Sequence, residues 1–197
     1  MKWRVVLLAG AVLLLAGAAA APTPKRIRGT ISSLAGHTLT VVERDGQTDK
    51  VELAPDCTVA AIVPASIDQV KPGEKIGIVG FGPPTRQRAA VISIFPPGGT
   101  VNEAQFAWDS QPDSVMTNAP VVSDVASADG RVLTVTVKGE TIEVTVPNNA
   151  VIQASEPGTP AMLVPGAKVL IFAQQAADGV ITAPRVNVGK DGLTPAN

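Results

Sequence analysis

The chain has no tyrosine, and its four phenylalanines and two tryptophans bring aromatic content to only 3% of 197 residues. Sugar sites and single-stranded nucleic-acid platforms stack their ligands on aromatic faces, so both classes lose their usual contact surface. A basic excess is missing too, with 16 Lys and Arg against 17 Asp and Glu. Phosphate-tracking surfaces need a clear positive surplus, so nucleic acid is not an expected partner. Cys57 is the single cysteine, which excludes an intramolecular disulfide and leaves stability to the core. A small, buried, apolar role is expected for it. His37 is the single histidine and sits in the turn Ala35-Gly36-His37. A triad or a histidine metal site needs partners that are lacking, so a solvated turn residue is expected.

The first residues differ from everything after them. Lys2 and Arg4 precede an uncharged apolar run from Val5 to Leu15, followed by Ala16-Gly17-Ala18-Ala19-Ala20-Ala21. This is the three-part pattern of a secretory signal peptide. Cleavage is expected after Ala20, because a cut after Ala21 would leave Pro22 first. No Cys follows the run, so no lipoprotein anchor is expected. The alternative is an uncleaved anchor helix, for which residues 5–21 are at the short end of what spans a bilayer. Residues 1–20 are therefore read as a signal peptide. The mature chain is expected to be periplasmic or secreted, without membrane insertion.

The mature region repeats itself. Lys71-Pro72-Gly73-Glu74-Lys75-Ile76-Gly77-Ile78 lies over Val164-Pro165-Gly166-Ala167-Lys168-Val169-Leu170-Ile171. Leu39-Thr40-Val41-Val42 matches Leu133-Thr134-Val135-Thr136, and Val51-Glu52-Leu53 matches Val144-Thr145-Val146. Val91-Ile92-Ser93-Ile94 lies over Arg185-Val186-Asn187-Val188. Order and spacing are kept throughout, which marks two diverged copies of one module. Thr141 to Val146 alternates polar and apolar, the period of a half-buried strand. Leu133, Val135 and Val137 alternate likewise, with Lys138-Gly139 as the turn.

Each copy reads as about six short strands, with one helical turn near 64–70 and its equivalent near 156–163. Such strands suit a small closed barrel, because closure removes exposed sheet edges. The expected fold is all-β: two tandem small β-barrel (OB-like) modules, at 25–96 and 119–191, with an open sandwich as the alternative. The interval 97–118 is not a bland spacer, since it holds Phe106, Trp108 and Met116. A flexible linker would be rich in Gly and Ser. This connector is expected to pack against a barrel and to fix how the copies sit together.

Arg28-Gly29-Thr30-Ile31, Val63-Pro64-Ala65-Ser66, Lys71-Pro72-Gly73, and Trp108-Asp109 followed by Met116-Thr117-Asn118-Ala119 carry a resemblance. On them the mature region resembles exported proteobacterial proteins with the DUF5666-type repeat. The resemblance implies a β-barrel-like repeat and export, and implies no activity. Phe106-Ala107 departs from it, standing where a basic residue and a proline would be expected.

Chemistry-bearing groups are scattered. Glu43, Asp45, Asp49 and Glu52 cluster at the first hairpin, but Arg44 and Lys50 interleave and the spacing of a calcium loop is absent. No Gly-rich phosphate loop or nucleophile elbow occurs. No catalytic residue, metal ligand or cofactor is therefore assigned. The expected function is a non-enzymatic binding or structural component of the cell envelope, contacting an envelope protein or a small ligand. Its candidate binding residues are those of the connector and module interface: Trp108, Asp109, Met116 and Asn118. A metal-handling accessory protein is the alternative. A redox or hydrolytic enzyme using Cys57 or the carboxylates is the second.

Overall fold

Alternation decides the strands. Ile142, Val144 and Val146 are buried while Thr141 and Glu143 are exposed, so one face of this stretch is a core face. The computed structural model describes residues 21–99 and 101–196; the expected signal peptide lies outside them. The strands are β1 (Thr23–Ala35), β2 (Thr38–Glu43), β3 (Thr48–Pro64), β4 (Lys75–Phe81), β5 (Arg86–Ile94) and β6 (Ala104–Ala107). They continue as β7 (Val115–Ser127), β8 (Gly130–Val137), β9 (Glu140–Pro147), β10 (Val151–Pro157), β11 (Lys168–Gln175) and β12 (Ile181–Gly189). The fold is all-β, with three short 3-10 turns and no α-helix among the described residues. No helix among them is long and apolar enough to cross a membrane.

Five strands close into a β-barrel: β3 pairs β2, β2 pairs β1, β1 pairs β11, β11 pairs β12, and β12 returns to β3. The closing pair is parallel and places Val59 beside Val186 and Ala61 beside Val188. A second ring runs β9, β8, β7, β4, β5 and back to β9 through a short parallel pairing, Arg86 to Arg88 beside Glu143 to Thr145. Strand β10 lies between the rings, antiparallel to β3 and parallel to β5.

The pairing departs from contiguous barrels over 25–96 and 119–191. Hairpin β4–β5 lies within 25–96 but completes the ring of β7, β8 and β9. Hairpin β11–β12 lies within 119–191 but completes the ring of β1, β2 and β3. Measured against the expected modules, the C-terminal hairpins are exchanged. Each ring interior is accordingly a joint core. One packs Ile27, Ile31, Leu39, Val41 and Val51 against Val169, Ile171, Ala183, Val186 and Val188. The other packs Ile76, Ile78, Ile92 and Ile94 against Ala119, Val121, Leu133, Val135 and Val144. Fully burying one such aliphatic side chain contributes about 1.5–3 kcal/mol, so each exchange is held by many such increments.

Local signals explain the crossings. The turn Ile67–Gln69 is capped by Ser66, whose Oγ accepts from Asp68 N while Ser66 N donates to Gln69 Oε1 at 2.7 Å. Ile67 and Val70 then pack into the second ring, and Leu163 plays this part in the first. The Pro-Gly turns that follow need φ near +90°, at +89° for Gly73 and +91° for Gly166, which a glycine adopts without a Cβ penalty.

Residues 48–64 form one continuous β3. Its break is absorbed by a register shift: Ala183 pairs Leu53 and Arg185 pairs Thr58, so residues 54–57, including Pro55, bulge where no ladder hydrogen bond is needed. In the other ring the corresponding path is divided into β9 and β10.

Strand β6 runs along β7, and no strand among the described residues takes that place beside β1. Its Gln105 Nε2 donates to Pro84 O at 3.0 Å and Thr117 Oγ1 at 3.2 Å, and Thr117 Oγ1 donates to Gln87 Oε1 at 3.0 Å.

Candidate functional site at the seam between the rings

The rings meet across the outer faces of β1, β11 and β12 on one side and of β4, β5 and β7 on the other. Trp108 fills part of this seam. It is 7% exposed and clusters with Val79, Val91 and Met116, with Phe172 of the other ring against them. Its backbone N–H donates to Ser114 O at 2.7 Å, which closes the loop before β7. Phe106 meets the indole edge-on at 5.9 Å between centroids. From β1, Arg26 stacks 4.0 Å from the indole centroid and Arg28 lies at 5.7 Å. Both guanidiniums donate to Asp109, at 3.2 Å and 2.6 Å. Burial pushes the Asp109 carboxyl up. The hydrogen bond and charge of Arg28, then those of Arg26, outweigh it and hold the group below the usual carboxylate range.

Three of the expected site residues thus come together: Trp108, Asp109 and Met116. Asn118 lies two residues along β7 from Met116, beside Gly77 in the ladder. A Cβ built on Gly77 would lie 3.1 Å from Asn118 Oδ1 and 3.0 Å from Phe95 Cζ, so Gly77 leaves room for both side chains. Arg26 also belongs to this cluster and was not singled out by sequence; alternation on β1, with Ile27 inward, already placed it outward.

Beyond Phe95 the seam turns polar. Register places Thr58, Ala60 and Ile62 of β3 on one face with Arg185 and Asn187 of β12 and with Ser155 and Pro157 of β10. The alternate residues Cys57 and Val59 face the barrel core. Ser93, Gln153, Ser155 and Asn187 are all at least nine-tenths buried on this face. Gln153 Nε2 donates to Ser93 Oγ at 2.9 Å and Ala196 N donates to Gln153 Oε1 at 3.1 Å. Arg185 Nε donates to Asn187 Oδ1 at 3.1 Å, and its guanidinium lies 5.5 Å from the Phe172 centroid. Burial pulls the Arg185 guanidinium below its ordinary value. A cavity of about 260 Å³ opens here, lined by Arg185, Ser155, Phe95, Pro96, Val101 and Pro157 among others.

The remaining sequence candidates are placed elsewhere. His37 is exposed in its turn. Lys25 Nζ lies 2.7 Å from Asp49 and 4.0 Å from Glu43, so a lysine occupies the gap between two of the clustered carboxylates. No group of three or more His, Cys, Asp or Glu that could hold a metal occurs among the described residues. Cys57 packs partly buried against the barrel core, and burial, then the charge of Asp56, pushes its thiol up.

No family model matches this chain, and no curated protein or solved structure matches it significantly.

Proposed function

We propose that this chain is an exported, non-enzymatic binding or structural component of the cell envelope, and that the seam between its rings is the working surface. The carrying observation is the distribution of buried polarity. Both ring interiors are dominated by aliphatic side chains, whereas Ser93, Gln153, Ser155, Asn187 and Arg185 gather with the Trp108 connector where the rings meet. A filled barrel offers no internal pocket, which leaves outer faces and junctions for a ligand.

Each ring is read as an OB-like barrel. Counting β11 and β12 as fourth and fifth strands gives the order 1-2-3-5-4 with strands 3 and 5 parallel, and β4 and β5 give the same order in the other ring. That order supports a pair of OB-like units with exchanged hairpins, in keeping with the DUF5666-type resemblance. Residues 1–20 act in this reading as a cleaved signal peptide that delivers the chain to the periplasm or beyond. The partner is an envelope protein or a small ligand, not nucleic acid.

Affinity capture from envelope extract, with wild type and Trp108→Ala in parallel, tests the reading. A specific partner retained by wild type and reduced with the variant is expected. Capture of nothing by either protein sinks the protein-binding form of the proposal.

A further inference from the structure

We infer that the seam cavity is a binding site for a small organic monocarboxylate, its head group held by Arg185 and Ser155 and its apolar body lying on Phe95, Pro96 and Val101. This deepens the proposed function and rests on it.

The argument starts from charge. Arg185 is the cation of this face, yet no carboxylate of the described residues lies within 4.0 Å of it, whereas Arg26, Arg28 and Arg131 all pair with aspartates. A guanidinium has five N–H donors. Arg185 uses one, Nε, on Asn187, and nothing among the described residues accepts from the other four. Asn187 and Phe172 fix the plane of the group, which is what a planar, two-oxygen acceptor requires.

Ser155 supplies the second, independent observation. It is 7% exposed, lines the same cavity, and its buried hydroxyl has no hydrogen-bond partner among the described residues. Leaving such a group unsatisfied costs on the order of 1–3 kcal/mol, and an acceptor bound in the cavity removes that cost. Thr58 lies across the ladder from Arg185 and also lines the cavity.

Two features narrow the anion. The lining also holds Phe95, Pro96, Val101 and Pro157, which favour an apolar body over an inorganic ion. Glu156, exposed on β10, also contributes to the lining, so a dianion would meet more repulsion than a monoanion. The repeat sharpens this. Val91 occupies in the first copy the place of Arg185 in the second, so the charge is specific to one side of the seam.

The test is an NMR titration of the mature chain with sodium hexanoate, with hexanol and sodium sulfate as comparison probes. Saturable shifts confined to 58–60, 95–99, 155–157 and 185–187 are expected, with a dissociation constant of about a millimolar for so small a ligand. Arg185→Met should weaken binding about tenfold, and Ser155→Ala about threefold. If Arg185→Met fails to fold, Ser155→Ala carries the test. Absence of saturable hexanoate shifts overturns the inference, as does unchanged affinity in the variants. Equal binding of hexanol would mean an apolar crevice, and equal binding of sulfate a generic anion site; either also overturns it. Absent hexanoate binding together with a captured envelope partner would end the carboxylate site while leaving the wider binding function standing.

Discussion

The two rings share strand order and a closing hairpin preceded by a 3-10 turn, yet one end of their interiors differs. In the ring of β1, β2 and β3, Ile27 and Ile181 fill that end. At the corresponding register positions of the other ring stand Thr117 and Gln87. Both are essentially fully buried, and Gln87 Nε2 has no partner among the described residues. The polar end is also the one over which β6 lies, with Gln105 bonding Thr117. An apolar end closes itself by packing. A polar end needs another strand to supply hydrogen bonds, and the connector supplies it. The connector is thus part of one ring as well as of the seam.

The largest expected effect breaks the exchange itself. Ending the chain before Gly166 removes β11 and β12, so β1 to β3 lose the strands that close them. Hydrogen exchange should show those three strands unprotected. If they stay protected, the exchange is not what holds that barrel. Next, Ile78→Ala and Ile171→Ala delete matched, fully buried side chains, one from each ring. Each should cost about 2–5 kcal/mol. Because each hairpin ties one ring to the other, calorimetry should still show a single transition for both variants. Two separate transitions would mean that the rings unfold independently.

Gln87→Met removes the unpartnered Nε2 but also the Oε1 that accepts from Thr117 Oγ1. It should destabilise by about 1–3 kcal/mol through the orphaned Thr117 hydroxyl, whereas Gln105→Ala, which leaves Thr117 bonded to Gln87, should cost about 1 kcal/mol through its lost bonds to Thr117 and Pro84. No destabilisation by Gln105→Ala, from chemical denaturation, would remove the claim that β6 satisfies a polar end. The smallest effect is in pH. Asp109 has a depressed folded-state value, so its contribution is present above the unfolded carboxylate value of about 3.9 and is lost as pH falls through the lower folded value. Asp109→Asn should flatten the acid side of the stability profile below about pH 4. An unchanged profile would mean that the arginines gain nothing from the carboxylate.

Much of this was legible in the chain. Thr141 to Val146 announced its strand by alternation, and Lys71-Pro72-Gly73 and Val164-Pro165-Gly166 announced turns before a strand. Phe106 and Trp108 announced a connector that packs. The hairpin exchange was hidden for a physical reason: hairpins β4–β5 and β11–β12 present similar apolar patterns, so patterning cannot say which ring each one closes. Arg185 was half visible. Arg185 and Asn187 alternate with Val186 and Val188, so their outward face was readable, but its burial depends on β10 lying against β3, which no local signal reports.

The distance along the chain over which the first barrel is assembled has a kinetic consequence. Thr23 hydrogen-bonds Gln175 across 152 residues of sequence. That barrel therefore cannot close until its last hairpin has emerged from the ribosome, and pairings so remote in sequence form slowly. The other ring, whose strands all lie between Lys75 and Pro147, can close earlier, so the two sides of the seam are completed in sequence and the first barrel seals last.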